Sequence, residues 1–223
     1  VVYLVSNNSN KVTALDLPGH GKNIQPITKV TMANYVKTVV DAIRAQNQKV
    51  ILVGHSLAGA IISQVAEEIP ENIDRLIFVS AVLPANGETA LSLMQSDEKG
   101  QLLPNTIFSE DQSYATITEK TVRSILLNDI NDKDQLNRLV PHFLFKQATE
   151  PFTAEALLTE ERFGSVKKYY VKASADKVLT PELQERMLNN WKMNKIFTLK
   201  SGHFPLNSMP QALVNIINKV STL

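Results

Sequence analysis

Residues 49–60 read KVILVGHSLAGA. Val50, Ile51, Leu52 and Val53 form a continuous apolar run rich in β-branched residues, the pattern of a short strand buried on both faces in a parallel sheet. Gly54 breaks the run and Ser56 follows between His55 and Leu57. Ala58, Gly59 and Ala60 then open an apolar helical pattern that continues through Ile69. A strand, a sharp turn, a serine and small residues leading into a helix place a hydroxyl at the carboxyl edge of a sheet. The helix N-terminus points its free N–H groups at any negative charge developing beside that hydroxyl, the Leu57 N–H first. A serine hydroxyl is a weak nucleophile and needs such exposure together with a neighbouring base. The motif is G-x-S-x-small, with Ala58 where glycine is usual. Alanine tolerates a positive φ less well, and Gly59 is expected to compensate. An ordinary βα turn around a buried serine carries the same pattern, so an acid and a histidine downstream must decide between the two.

Length and composition narrow the field. The chain has 223 residues, enough for one domain with a substantial core. A formal charge of +1 gives no electrostatic case for nucleic acid or an anionic membrane surface. There is no cysteine, which excludes disulfides, thiolate metal sites and a cysteine nucleophile. The four histidines (His20, His55, His142, His203) show no metal-ligand spacing. No apolar run approaches membrane-spanning length. The expected compartment is the cytoplasm; the chain begins at Val1 without a methionine, so its start looks incomplete and an absent signal peptide carries little weight.

In chain order, residues 1–5 are a strand by propensity or the end of a helix. SNNSN (6–10) is turn material. KVTALDL (11–17) predicts a strand that ends in Pro18-Gly19-His20-Gly21, where His20 reads as an ordinary loop histidine. Residues 31–46 predict a helix capped by Thr28 or Thr31. RLIFV (75–79) is another buried strand. Strands alternating with helices imply a parallel α/β sheet. After Pro84 the rhythm changes. Residues 85–164 contain helical patterns at 88–98, 119–128, 132–140 and 153–161, separated by prolines. They predict a helical cap inserted into a core formed by 1–84 and 165–223. The cap aromatics Phe108, Tyr114, Phe143, Phe145 and Phe152 either line a substrate pocket or form the cap's own core. KKYYVKA (167–173) and KIFTL (195–199) are the last strands, with a helix from Pro181 to about residue 191 between them and a closing helix at 211–220.

Ser56, Asp176 and His203 each follow an expected strand, and the carboxyl ends of parallel strands share one edge. The order Ser, Asp, His with the cap between the first two is that of the α/β hydrolases. In this reading His203 takes the proton from Ser56 and returns it to the leaving group, while Asp176 holds the imidazole tautomer. Asp16 is a rival acid, but it precedes the serine. His142 is a rival base, but it sits in the cap beside Pro141.

At these residues the chain resembles the plant methylesterase and hydroxynitrile lyase branch of the α/β hydrolases, with its bacterial relatives. The resembling segments are KVTALDLPGHG (11–21), LVGHSLAGA (52–60), FVSAVLP (78–84), ERFGSVKKYYVKASADK (161–177) and LKSGHF (199–204). The resemblance implies an α/β hydrolase with a mostly parallel sheet and a helical cap, a triad on Ser56, Asp176 and His203, and no cofactor or metal. It implies a small-molecule ester as substrate, and a homodimer is compatible with it. The expected pocket residues are His55, Phe108, Phe143, Phe145 and Phe204. Two departures stand out. The family carries an additional strand, central in its sheet, and a His-Gly loop that supplies a second oxyanion donor. Neither is found here, and the expectation is that the chain starts late or that a segment after residue 4 has been dropped. A Cα–Cα spacing of about 3.8 Å at every step of residues 1–10 would exclude a hidden join. The lyases carry a lysine directly after the catalytic histidine, where this chain has Phe204. Esterase is therefore favoured, with a lyase or a non-hydrolytic binder as the alternatives.

Overall fold

The computed structural model describes residues 11–223. The expectations placed on residues 1–10, a strand at 1–5 and the Cα spacing test, lie outside the described residues.

Four parallel strands carry the core. They are β1 (Val50–Ser56), β2 (Ile73–Ala81), β6 (Lys167–Ala173) and β7 (Lys195–Leu199), in the spatial order β1-β2-β6-β7. Strand β2 is buried on both faces, and its alternation divides the core between them. Leu76 and Phe78 join one apolar cluster. Ile77 and Val79 join the other, with Tyr169, Val171 and the closing helix residues Leu213, Val214 and Ile217. On the first face pack helices α1 (Met32–Arg44) and α2 (Ala58–Glu68). Thr31 caps α1 by accepting from the Asn34 N–H, one of the two caps expected there. After the cap helices α3 (Ala90–Gln95) and α4 (Lys133–Leu139) come α5 (Pro181–Leu188) and α6 (Pro210–Ser221), whose first positions are proline as at many helix starts.

Two strand expectations change. Residues 11–17 form no strand; they are an irregular, mostly exposed segment with no ladder partner among the described residues. Strand propensity needs a neighbouring strand to take up its backbone groups, and here none is described. For the same reason β1 is not buried on both faces. It pairs only with β2 among the described residues, and Val53 is 46% exposed.

The segment 85–164 is less helical than its sequence pattern suggests. It contains a small antiparallel sheet, β3 (Thr106–Phe108), β4 (Tyr114–Ile117) and β5 (Gln147–Ala148), in that spatial order. The expected helix at 119–128 is one helical turn followed by a five-residue π turn, Val122–Leu126. The helix expected at 153–161 sits earlier, as a single turn at Glu150–Thr153. That turn anchors the segment to the core, because Glu150 Oε2 accepts from the Met32 N–H at 2.6 Å, a carboxylate at the positive end of α1.

Candidate active site

Ser56 is the last residue of β1, and its backbone carries φ +55°. That left-handed conformation is rare for a residue with a Cβ and costs about 1–2 kcal/mol. The strain falls on the serine itself and not on Ala58, which already belongs to the first turn of α2. The substitution of alanine for the usual glycine at 58 is therefore harmless. Glycine is needed on either side of it. A Cβ at Gly54 would stand 2.8 Å from the Ala58 carbonyl oxygen, and one at Gly59 would stand 2.1 Å from that of Val82. The neighbouring strand yields to the same turn. The β1–β2 register skips Ser80, which takes φ +43°, and the Ser56 carbonyl is then held by the Val82 N–H at 3.0 Å.

Asp176 and His203 arrive from loops after β6 and β7. Ser56 Oγ lies 2.8 Å from His203 Nε2. His203 Nδ1 lies 2.8 Å from Asp176 Oδ2. Asp176 is held from its other oxygen, which accepts the Val178 N–H at 2.7 Å and the Leu179 N–H at 3.1 Å. Asp176 and His203 are both buried. Since a carboxylate only accepts, Nδ1 carries the proton and Nε2 is free to take one from Ser56. Neither rival joins the relay, although His142 lines the same cavity. Asp16 accepts from the Lys22 N–H at 3.0 Å, and it is His203, not His142, that bonds Ser56.

His55 supports this relay from behind. Its Nε2 lies 2.7 Å from the main-chain oxygen of His203, so Nε2 carries the proton and donates. Burial, then the charge of the neighbouring His203, pushes the His55 pKa down to about 3. Its ring is therefore neutral at physiological pH.

The relay opens on a cavity of about 480 Å³, within the roughly 300–1,000 Å³ of small-molecule sites. Leu57, at the N-terminus of α2, lies in its wall beside Ser56 and His203. All five expected pocket residues line it: His55, Phe108, Phe143, Phe145 and Phe204. Phe143 meets Phe204 edge-on with ring centroids 4.8 Å apart. Phe152 also lines the cavity, whereas Tyr114 turns to Lys146, whose Nζ lies 4.3 Å over its ring. The sequence reading passed over His20. It faces the cavity, with Nε2 2.9 Å from the Tyr35 hydroxyl and its ring edge-on to Phe145. Burial lowers its pKa. The only local signal was a histidine among turn residues, and its pocket position depends on α1 and the cap together. No lysine, arginine, aspartate or glutamate lines the cavity among the described residues. No group of three or more metal-ligating side chains occurs among them either.

Comparison with known proteins identifies the family. The sequence is 30% identical to putative methylesterase 11, chloroplastic, of Arabidopsis thaliana over 234 residues, covering 100% of this chain and 60% of that protein. It is 26% identical to the alpha-hydroxynitrile lyase of Arabidopsis thaliana, covering 98% of this chain and 89% of that protein. The chain thus spans about three-fifths of the methylesterase's length. Its structure superimposes on that of a pyrethroid hydrolase from Sphingobium faniae JZ-2 with a TM-score of 0.85 and 26% identity, over 98% of this chain and 89% of the other. The sequence model of the alpha/beta hydrolase family matches residues 2–216. That match covers nearly the whole chain, which belongs to the alpha/beta hydrolase family.

Proposed function

We propose that this chain is a cofactor-free serine esterase acting on small neutral carboxylic esters through an acyl-enzyme on Ser56. The observation that carries the reading is the unbroken relay from Ser56 Oγ through His203 to Asp176, opening on an apolar cavity. His203 Nε2 removes the hydroxyl proton as Ser56 Oγ attacks the ester carbonyl carbon. The oxyanion that forms is met by the Leu57 N–H at the start of α2. Collapse expels the alcohol, which takes the proton from His203. Water, deprotonated by the same imidazole, then attacks the acyl-enzyme and releases the acid. The methylesterase relatives support ester hydrolysis, and the cavity's lining favours a neutral substrate because no lysine or arginine among the described residues lines it to hold a carboxylate.

The relative named as a hydroxynitrile lyase gives the second reading. Phe204 opposes it, because a phenyl ring cannot supply the charge that a cyanide leaving group calls for. The test is Ser56→Ala assayed on short p-nitrophenyl esters: the variant should lose essentially all turnover, and turnover at the wild-type rate would reject the mechanism. A fluorophosphonate probe should label the wild type at Ser56; no labelling would indicate a non-hydrolytic binder. Cleavage of mandelonitrile without ester hydrolysis would establish the lyase.

A further inference from the structure

We infer that two adjacent cap residues, Asn128 and Asp129, clamp the acid loop and the histidine loop together, making Asp129 a positioning residue for His203. Asn128 Nδ2 donates to the carbonyl of Ala175 at 3.1 Å, the residue directly before Asp176. Asp129 Oδ2 accepts from the Gly202 N–H at 2.7 Å, the residue directly before His203. The two loops are themselves joined where the Ala175 N–H donates to the Ser201 carbonyl at 2.9 Å. One short stretch of the cap thus reaches the backbone immediately ahead of two of the three residues in the relay.

Three further observations mark this arrangement as built. Gly202 has no positive φ, so its backbone does not demand glycine. The clamp demands it: a Cβ there would lie 2.2 Å from Asn128 Oδ1 and 2.8 Å from Asp129 Oδ1. Those same two oxygens are buried without a hydrogen-bond partner among the described residues. A carboxylate oxygen buried without a partner is costly, so its place is not explained by stability. Finally, the stretch is delivered by the π turn Val122–Leu126, closed by the Leu127 N–H to the Val122 carbonyl at 2.9 Å. Such turns add a residue to the helical circuit and concentrate at functional sites.

The clamp matters because His203 must hold two 2.8 Å contacts at once, one to Ser56 and one to Asp176. Release of the Gly202 N–H frees the loop on one side, and a misplacement of about 1 Å at a reacting group costs about 10² in rate. The kinetic arm of the test rests on the esterase reading. The spectroscopic arm does not.

In Asp129→Ala, kcat on a p-nitrophenyl ester should fall about tenfold to hundredfold with KM within about twofold of wild type. Asp129→Asn keeps an oxygen for the Gly202 N–H and turns its amide toward Asn128 Oδ1, so kcat should return to within about threefold. Lys99→Ala, which removes an exposed cap-to-core ion pair with Glu182, should leave kcat within about twofold. The far-downfield proton resonance of His203 Nδ1–H should broaden or shift in Asp129→Ala and recover in Asp129→Asn, and it can be read even if the wild type cleaves no ester. Should Asp129→Ala fail to fold, Gly202→Ala pushes a methyl group into the space of the two oxygens and should reproduce both losses. The clamp is overturned if folded Asp129→Ala, or Gly202→Ala in its place, keeps wild-type kcat and an unchanged resonance. It is equally overturned if Asp129→Asn is as impaired as Asp129→Ala, or if KM rises while kcat holds.

Discussion

Asp176→Asn separates the carboxylate's two tasks, because each of its oxygens does a different job. Oδ1 accepts two backbone N–H groups, from Val178 and Leu179, at 2.7 and 3.1 Å. Oδ2 faces the His203 Nδ1 proton at 2.8 Å. An asparagine has one oxygen to share between these duties. If its oxygen stays with the two N–H groups, its NH2 faces Nδ1. The imidazole must then carry its proton on Nε2, where it points at Ser56 Oγ and can no longer accept. In the flipped orientation the histidine keeps its productive tautomer, but the NH2 confronts two N–H donors in a buried loop. Each donor left without an acceptor costs about 1–3 kcal/mol. The productive form is thus disfavoured by about 2–6 kcal/mol, and at about 1.4 kcal/mol per tenfold the rate should fall by about 30-fold to about 2 × 10⁴-fold. The fold should survive, with stability within about 1 kcal/mol of wild type, since the first orientation satisfies every group. The assay is kcat on a p-nitrophenyl ester alongside thermal unfolding by circular dichroism. A folded Asp176→Asn retaining more than about a tenth of wild-type kcat would refute the tautomer argument, because the predicted loss starts at about 30-fold.

Two other perturbations follow from the same region. His55 has its folded pKa pushed from 6.5 down to about 3, chiefly by burial. The unfolded chain then binds a proton that the folded chain refuses, so the stability this group contributes is complete above pH 6.5 and is lost as pH falls toward 3. That span caps the effect near 1.4 kcal/mol per unit. The ring borders the cavity, so about 2–4 kcal/mol is expected. His55→Gln keeps a donor for the His203 carbonyl and should flatten this acid slope in urea melts taken from pH 7 to 4; an unchanged slope would count against it. Gly59→Ala would set a methyl group 2.1 Å from the Val82 oxygen. It should destabilise by about 1–3 kcal/mol and reduce ester turnover, since Ser56 rides on the same turn. A variant with wild-type melting temperature and activity would show that α2 can shift freely.

What the sequence discloses depends on how locally each feature is determined. Residues 49–60 are readable because an apolar strand, a break and an amphipathic helix each leave a pattern within a few positions. Asp176 and His203 are readable for the same reason, each lying just after an apolar run. The small cap sheet is not. Strand β5 has two residues, and it exists because Gln147 and Ala148 meet Ala115 and Tyr114 across more than thirty positions of chain. The π turn is hidden as well, since residues 119–128 satisfy ordinary helical spacing. His20 shows the limit for a site residue: its ring reaches the cavity through Tyr35 and Phe145, one from α1 and one from the cap. Residues 11–17 fail in the opposite sense. Their propensity is strong, but a strand is a property of a pair, and no partner is described for them.

Among the described residues β1 pairs with β2 alone, and the nucleophile is held from that side and from within. The Ser56 carbonyl is bonded by the Val82 N–H, the Gly59 backbone rests on the Val82 oxygen, and the skipped Ser80 absorbs the register change that the elbow imposes. His55, one residue before the nucleophile, bonds the main chain of His203, so the strand that presents the serine also steadies the base. Serine and imidazole are consequently referenced to one another by backbone contacts between adjacent core elements. The carboxylate, which enters from β6, is bound to that pair by the clamp of Asn128 and Asp129. In this arrangement the Ser56–His203 distance should resist loosening of the cap, whereas the His203–Asp176 distance should be the first to open.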